Sequence, residues 1–119
     1  LASLLVRRLL PAIAEGRLEA FGDAIGEFGR LNGAWYADEQ GGVYRPPAGQ
    51  LIDALAESSA IRGVGQSSWG PAVYGVTNIS AAEAAIAAAE RALAEIDTSG
   101  RVLLVEPRND GARITRSRD

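Results

Sequence analysis

The segment at residues 17–35 constrains the fold most, because it carries two different stripes at helical spacing. Both stripes recur at intervals of three and four, which predicts one helix with a buried face. The first stripe is Leu18, Phe21, Ile25, Phe28 and Trp35, and the second is Gly22, Gly26, Gly29 and Gly33. Each glycine costs a helix about 1 kcal/mol relative to alanine, so we expect a close partner along the bare backbone. A tightly crossing helix is the favoured partner, and a bound ligand is the alternative.

The N-terminal third outside this segment predicts a helix and a loop. Apolar positions in residues 1–14 follow helical spacing, and Gly16 ends the run. Pro11 should bend or shorten this helix, because proline lacks the amide hydrogen of the helical ladder. Residues 37–49 contain paired glycines and paired prolines, which favour a loop.

The second half alternates strands and helices. A short helix fits residues 50–57, and two strands separated by a turn of small polar residues fit 61–65 and 71–77. Residues 102–105 form a continuous apolar run, which indicates a strand covered on both faces. A short final strand is expected at residues 112–115.

An alanine-rich helix is expected between these strands, ending near Glu95. Ser80 and Glu83 form a capping-box pattern at its start, and Ile79 is placed to act as a hydrophobic staple. Its narrow buried face should consist of Ala82, Ile86, Ala89 and Leu93.

This order of elements predicts one α+β domain over residues 1–119. The expected architecture is ferredoxin-like, with a mainly antiparallel sheet and helices on one face. The apolar runs at 61–64, 73–76 and 102–105 should be adjacent strands. The helix layer over them should contain Phe21, Ile25, Phe28, Ile86 and Leu93.

The residue inventory excludes much of catalytic chemistry. The chain has no His and no Cys, and its 12 basic residues are all arginine. Histidine bases, thiolate nucleophiles, Schiff-base lysines and the usual zinc ligands are therefore excluded, and we expect no metal site. A net charge of -3 argues against a nucleic-acid surface. No apolar run is long enough to span a membrane, so we expect a soluble domain. The absence of Cys leaves the redox compartment undetermined but fits a cytoplasmic chain, and the lack of any Met indicates a piece of a longer protein.

The stretch GVGQSSWGPAVYGV at residues 63–76 is the most distinctive of the chain. Its glycines permit close backbone approach, and its amide and hydroxyl side chains add hydrogen-bond donors. The residues nominated for phosphate binding are Gly63, Gly65, Gln66, Ser67, Ser68 and Gly70. The stretch lacks the lysine of a Walker loop, and the alternative is a tight hairpin without a ligand.

Within this stretch, SSWGPAVYGV resembles the third conserved motif of the GHMP kinase superfamily, a glycine-rich turn that enters a strand of the C-terminal domain. Together with QGGVYRPP before it and PRNDGARI after it, the motif resembles a narrower family, the β-ribofuranosylaminobenzene 5'-phosphate synthases. The resemblance extends from residue 15 to residue 114. It implies the C-terminal domain of an enzyme that condenses a 4-substituted benzoate, usually 4-aminobenzoate, with phosphoribosyl pyrophosphate. Carbon dioxide and pyrophosphate are released, on a route to tetrahydromethanopterin.

The resemblance also sets expectations about partners and cofactors. The partners would be small-molecule substrates and a missing N-terminal domain, without which we expect the chain to be inactive; a homodimer stays open. No cofactor is expected in the chain itself, and Mg²⁺ would enter with phosphoribosyl pyrophosphate in the full-length protein. Nucleic acid and membrane are not expected as partners.

Five residues are nominated for substrate binding, and none is assigned a catalytic role: Tyr44, Arg45, Trp69, Arg108 and Asn109. The aromatic side chains would stack on a ring, and the arginines would bind phosphate or carboxylate. Alternatively, Arg45 is a solvated loop residue, and Arg108 and Asn109 belong to a turn. Two other functions stay open, an ATP-dependent GHMP small-molecule kinase and a non-catalytic ligand-binding or dimerising module. The QSSW sequence favours the synthase over the kinase.

Overall fold

The computed structural model describes residues 1–117, and its first element contains a turn of π-helix. Helix α1 is α-helical over Ala2–Leu4 and Leu10–Ala14, with the π turn at Leu5–Leu9 between them. An α-helical Pro11 would leave the carbonyl of residue 7 without its donor, and the wider π turn lies at this position. Pro11 does not shorten this helix as predicted, since the helix continues to Ala14 with the π turn just before the proline, and Gly16, with φ of +65°, follows its end.

Three helices follow in the middle of the chain. Helix α2 spans Leu18–Trp35, as its periodicity predicts, and α4 spans Ala48–Ala56, two residues ahead of its expected start. The prediction that Trp35 lies on the buried face of α2 is wrong, because this residue ends the helix and is 79% exposed. Between them lies α3 at Ala37–Gln40, a short helix within the segment expected to be all loop. It ends at Gly41, whose φ of +85° is the left-handed conformation that favours glycine.

The sheet consists of one antiparallel hairpin. Strand β1 at Arg62–Gln66 pairs with β2 at Val73–Val76, so the two predicted strands are confirmed. The pairing shifts by one residue at Gly63, which bulges from the ladder with φ of +55°.

The glycine stripe of α2 lies against β1. A Cβ at Gly22 would be 2.5 Å from Arg62 Cβ, and one at Gly63 would be 2.1 Å from Gly22 O. At Gly26 the nearest atom is Gly63 Cα, 3.4 Å from an added Cβ. The expected close backbone partner is therefore present, but the prediction of a crossing helix is wrong. The partner is a strand, because the glycines of β1 let two main chains meet.

Two apolar clusters hold the elements together. In the first, Leu4 and Leu9 of α1 pack on Ala24, Phe21, Ile25 and Phe28 of α2. The prediction that these apolar residues of α2 cover the sheet is corrected, because they meet α1 while the glycine stripe meets β1. The second joins α4, the hairpin and the helix at Ala82–Glu95 through Ile52, Leu55, Ile61, Val64, Val73, Ala85, Ala88 and Ala92.

The two sides of β1 meet different helices. The side with the glycines meets α2, and the opposite side, with Val64, meets α4. The expectation of helices on one face is corrected, since side chains alternate across a strand and both sides of this one are covered.

Helix α5 at Ala82–Glu95 follows a 3₁₀ turn at Ile79–Ala81. Asn78 caps this turn through its Oδ1, which accepts hydrogen bonds from the Ala81 N–H at 2.9 Å and the Ser80 hydroxyl at 2.8 Å, and α5 itself begins without a side-chain cap. The predicted capping box is therefore wrong, and so is the staple, because Ile79 is 98% exposed.

The buried face of α5 is Ala85, Ala88 and Ala92. It is displaced from the predicted face, whose members are half-buried. Small side chains face the core because α4 and the hairpin lie close to this helix.

Residues 101–117 contain neither of the two strands expected there. Leu103, Leu104 and Val105 are 63%, 59% and 76% exposed. A continuous apolar run predicts a strand only when neighbouring strands cover it, and within residues 1–117 no strand pairs with this run.

Among residues 1–117, no helix has the length and apolar character needed to cross a membrane.

Candidate functional site

A cavity of about 510 Å³ opens between α2, α3 and the hairpin turn. Its size is in the range of small-molecule sites, roughly 300 to 1,000 Å³. Five aromatic residues line it: Phe28, Tyr36, Tyr44, Trp69 and Tyr74. Its polar lining consists of Asn32, Gln40, Gln66, Ser67 and Ser68. The remainder is Ile25, Gly29, Gly33 and Val43.

Trp69 and Tyr36 form the exposed rim of this cavity. Their ring centroids are 5.4 Å apart and their planes are inclined by 53°. Trp69 is 47% exposed although it touches another ring, so much of its surface is free to contact a ligand. A tilted aromatic pair of this kind can receive a planar ring on its free faces.

The C-terminal half of the glycine stripe lines the same cavity. Gly29 lies beside the Tyr74 hydroxyl, which would be 3.4 Å from an added Cβ. At Gly33 an added Cβ would be 2.0 Å from Val43 O, because the loop after α3 crosses the helix there. One stripe therefore has two roles: its first half admits β1, and its second half admits the Tyr74 hydroxyl and the Val43 main chain, which border the cavity.

The Gln66 side chain joins three segments around the cavity. Its Oε1 accepts the Arg45 N–H at 2.6 Å, and its Nε2 donates to Ser68 O at 2.8 Å and Gln40 Oε1 at 3.2 Å. This amide lies between the loop after α3, the hairpin turn and α3 itself.

Gln40 extends this set of bonds toward α2. Its Nε2 donates to Val43 O at 2.9 Å and to Gly33 O at 3.4 Å. The two glutamines are hydrogen-bonded to each other, so their amides form one unit, named here the amide bridge.

Two tyrosines of the cavity hold their protons more firmly than free tyrosine. Burial raises the pKa of Tyr44, the Arg30 guanidinium lowers it by less, and Asp53 raises it further. Burial also raises the pKa of Tyr74, with Tyr44 adding to the effect. Both hydroxyls are therefore neutral hydrogen-bonding groups at physiological pH.

None of the described residues lining the cavity is charged. Mg²⁺ prefers carboxylate and phosphate oxygens, so the lining does not fit this ion. Among residues 1–117, no three His, Cys, Asp or Glu side chains gather closely enough to hold a metal. The lining suits a planar aromatic molecule whose polar edge reaches amides and hydroxyls.

The structure brings five of the eleven nominated site residues together. Tyr44, Gln66, Ser67, Ser68 and Trp69 all line the cavity.

The other six lie outside the lining. Gly63 packs on α2, Gly65 lies under Tyr74, and Gly70 lies beside the Gln66 side chain. Arg45 is exposed and meets the amide bridge through its main chain, while Arg108 and Asn109 are exposed in the C-terminal segment.

The hairpin turn uses part of its main-chain donor capacity internally. The Ser67 N–H donates to Ala72 O and the Gly70 N–H to Ser67 O, both at 2.9 Å. These two groups are engaged within the turn, which reduces the number of N–H groups available to a phosphate.

Sequence reasoning missed Asn32, Tyr36, Gln40 and Tyr74 as cavity residues. Asn32 interrupts the apolar stripe of α2, a signal that this face meets something other than core. No comparable signal marks Gln40, because the short helix that carries it was expected to be loop.

A family model described as "GHMP kinases C terminal" matches residues 9–95. The chain therefore belongs to the GHMP kinase C-terminal domain family, whose match includes every residue that lines the cavity. It is 34% identical over 112 residues to beta-ribofuranosylphenol 5'-phosphate synthase from Methanothermobacter thermautotrophicus. That alignment covers 94% of this chain and 31% of the relative, so the chain spans about a third of the relative's length. No solved structure matches the chain.

Proposed function

We propose that this chain is the C-terminal domain of a synthase that joins a 4-substituted benzoate to phosphoribosyl pyrophosphate. The observation that carries the proposal is the uncharged aromatic cavity beside the glycine-rich turn. The similarity to a synthase whose printed name contains a ribofuranosylphenol phosphate supports it. A phenol in that name favours a benzoate with a 4-hydroxyl group, and 4-aminobenzoate is the alternative acceptor.

In the proposed reaction, the ring carbon that bears the carboxylate forms a carbon–carbon bond to C1 of the ribose. The carboxylate leaves as carbon dioxide, and its electron pair stays with the ring to form the new bond. Pyrophosphate leaves with the electrons of the bond to ribose C1. Such a reaction needs a held aromatic ring and no lysine or cysteine nucleophile, which agrees with the composition.

We assign the ring to the cavity, between the Trp69 and Tyr36 rim and the Tyr44 side chain. Phosphate binding by the glycine-rich turn remains part of the proposal, through donors that the turn does not use internally. Since the cavity offers neither arginine nor carboxylate, Mg²⁺ and most contacts to pyrophosphate would come from elsewhere in the full-length protein. A ferredoxin-like order of strands is likewise a proposal, because it requires strands beside the observed hairpin.

The deciding experiment uses the full-length protein and two sets of substrates. Carboxyl-labelled 4-hydroxybenzoate or 4-aminobenzoate is incubated with phosphoribosyl pyrophosphate, and labelled carbon dioxide and pyrophosphate are measured. A parallel assay measures ADP formation from ATP with alcohol substrates. Equal amounts of carbon dioxide and pyrophosphate support the synthase, whereas ADP formation without carbon dioxide contradicts it and supports a kinase.

Replacing Trp69 with alanine tests the place of the ring in the same assay. We expect Trp69→Ala to raise KM for the benzoate about tenfold and to leave KM for phosphoribosyl pyrophosphate nearly unchanged, since one substrate loses a contact. Trp35→Ala is the matched control, because Trp35 is 79% exposed and does not line the cavity. Equal effects of the two substitutions on benzoate KM would rule out a ring bound at the Trp69 rim.

A further inference from the structure

The amide bridge uses all of its nitrogen-bound hydrogens on the protein itself. Each glutamine has two such hydrogens, and each nitrogen makes two hydrogen bonds, to Val43 O and Gly33 O from Gln40 and to Ser68 O and Gln40 Oε1 from Gln66. Three of these bonds are 2.8 to 3.2 Å long and the fourth, to Gly33 O, is longer at 3.4 Å, so the amide N–H groups are matched by protein acceptors rather than by a ligand. Both side chains line the cavity, but their hydrogen bonds connect the segments that form its walls.

The hydrogen-bond pattern also fixes which way the Gln66 amide faces. Its oxygen accepts the Arg45 N–H, and its nitrogen faces Ser68 O. Exchanging oxygen and nitrogen would place two donors against each other at Arg45 and two acceptors against each other at Ser68. The amide therefore has one satisfied orientation and holds the loop and the hairpin turn in one relative position.

The segments joined by the bridge carry three aromatic residues of the cavity: Trp69 and Tyr36 at its rim, and Tyr44 in its wall. The hairpin turn carries Trp69, the residue next to Ser68, and the loop after α3 carries Tyr44, between Val43 and Arg45. Tyr36, the ring that touches Trp69, lies at the C-terminal end of α2 just before the helix that carries Gln40. Without the bridge, the rim and the wall lose the side-chain hydrogen bonds that fix their separation.

We propose that Gln40 and Gln66 are positioning residues, which set the width of the cavity and hold Trp69 against Tyr36. The proposal does not depend on which ligand the cavity takes. It changes the role of Gln66 from a phosphate ligand to a support for the cavity wall.

The first test observes Trp69 fluorescence in the 119-residue chain with Trp35→Phe as background, so that Trp69 is the sole tryptophan. Gln66→Leu keeps the approximate shape of the side chain and removes its hydrogen bonds. We expect emission from Trp69 to shift to longer wavelength and its quenching by acrylamide to increase, because the turn moves away from Tyr36. Gln50→Leu is the matched control, since Gln50 is exposed and its side chain makes no hydrogen bond to the described residues.

A second pair of variants separates positioning from a general loss of stability. Gln40→Leu should shift the emission in the same direction, and the double variant should shift it by less than the sum, because both changes remove one shared hydrogen bond. Gln66→Glu retains an acceptor for the Arg45 N–H but places a second acceptor against Ser68 O and Gln40 Oε1, so it should shift the emission as well. Unchanged emission in folded Gln66→Leu and Gln40→Leu chains would overturn the proposal. If Gln66→Leu does not fold, the Gln40→Leu result decides.

The functional readout is made in the full-length protein and rests on the proposed function. Gln66→Leu should raise KM for the benzoate about tenfold while kcat falls less than about threefold, because the ring site is displaced and the reacting groups are unchanged. A fall in kcat alone would contradict positioning. If the fluorescence shifts as expected but no benzoate releases carbon dioxide, the positioning role stands and the synthase proposal fails.

Discussion

At four positions of α2 the lack of a side chain has different consequences, because the four glycines meet different neighbours. Gly22 and Gly26 face β1, Gly29 faces the Tyr74 hydroxyl, and Gly33 faces the main chain of Val43. Spacing alone predicted one partner for the whole stripe, since it reports which residues share a helix face and not what lies opposite. The distance from each added Cβ to its neighbour distinguishes the positions.

Gly22→Ala and Gly26→Ala form a matched pair on one helix. At Gly22 the new Cβ would lie 2.5 Å from Arg62 Cβ, so we expect the free energy of unfolding to fall by about 1 to 3 kcal/mol through overpacking. At Gly26 the nearest atom is 3.4 Å away, an ordinary contact, and alanine's helix propensity should raise stability by up to about 1 kcal/mol. Urea denaturation of both variants measures the difference. Equal changes would contradict the close approach of β1 at Gly22.

The two half-buried tyrosines of the cavity, Tyr44 and Tyr74, predict a loss of stability at alkaline pH. Burial raises the pKa of Tyr44 and of Tyr74 above the ordinary value of 10.0, so the folded state binds these protons more tightly than the unfolded state. Their contribution is complete below pH 10 and is lost as pH rises through the raised values. Chemical denaturation between pH 8 and pH 11 should show this decline, and Tyr44→Phe and Tyr74→Phe should each reduce its slope. An unchanged slope in both variants would contradict the assignment.

At the scale of elements, the spacing of apolar residues was sufficient to predict α2, α4 and the hairpin. The capping pattern did not predict how α5 begins. Asn78 and Ser80 are both good capping residues, and the sequence placed Ser80 before Glu83 in a recognised pattern. The structure uses Asn78 because the chain turns through a 3₁₀ segment before α5 begins. Which of two competent caps is used depends on the path of the chain from β2, and local sequence does not contain that path.

Replacing the cap tests this assignment. Asn78→Ala should lower the free energy of unfolding by about 1 kcal/mol, because the Ala81 N–H and the Ser80 hydroxyl both lose their acceptor. Ile79→Ala is the control, and it should change stability by less than about 0.5 kcal/mol because the side chain is exposed. A larger loss for Ile79→Ala than for Asn78→Ala would restore the staple interpretation. Thermal unfolding followed by circular dichroism is sufficient for the comparison.

The same limit applies to the candidate site. Trp69 and Tyr44 were found from sequence because aromatic residues among glycines, prolines and serines are unusual there. Tyr36 and Gln40 were not found, because they lie at the two ends of the short helix α3, in a segment expected to be loop. Tertiary contacts of this kind leave no periodic pattern.

At the scale of the whole molecule, two apolar clusters lie on different sides of the hairpin, and the C-terminal segment belongs to neither. Apolar content predicted a covered strand at 102–105, yet within residues 1–117 no strand pairs with it. The core of α4, α5 and the hairpin is filled by alanines and branched side chains without it. Composition therefore identified a hydrophobic segment correctly and its environment incorrectly.

Substitution within this segment distinguishes the two environments in the 119-residue chain. The double change of Leu103→Ser and Leu104→Ser should alter the free energy of unfolding by less than about 0.5 kcal/mol, because both side chains are largely exposed. Ile52→Ala, in the buried cluster, should cost about 2 to 5 kcal/mol in the same denaturation experiment. Losses of similar size in the two variants would show that the segment is covered in solution.

The uncharged lining of the cavity determines how a molecule bound there responds to ionic strength. Salt at about 0.1 M screens surface charges over roughly 10 Å, and it weakens ligands held by exposed ion pairs. Contacts with aromatic rings and neutral amides have no such dependence, and salts such as sulfate strengthen apolar burial. A ring held by Trp69 and its neighbours would therefore stay bound in concentrated electrolyte that releases a phosphate from surface arginines. Raising the salt concentration would thus separate occupancy of this cavity from every contact that depends on charge.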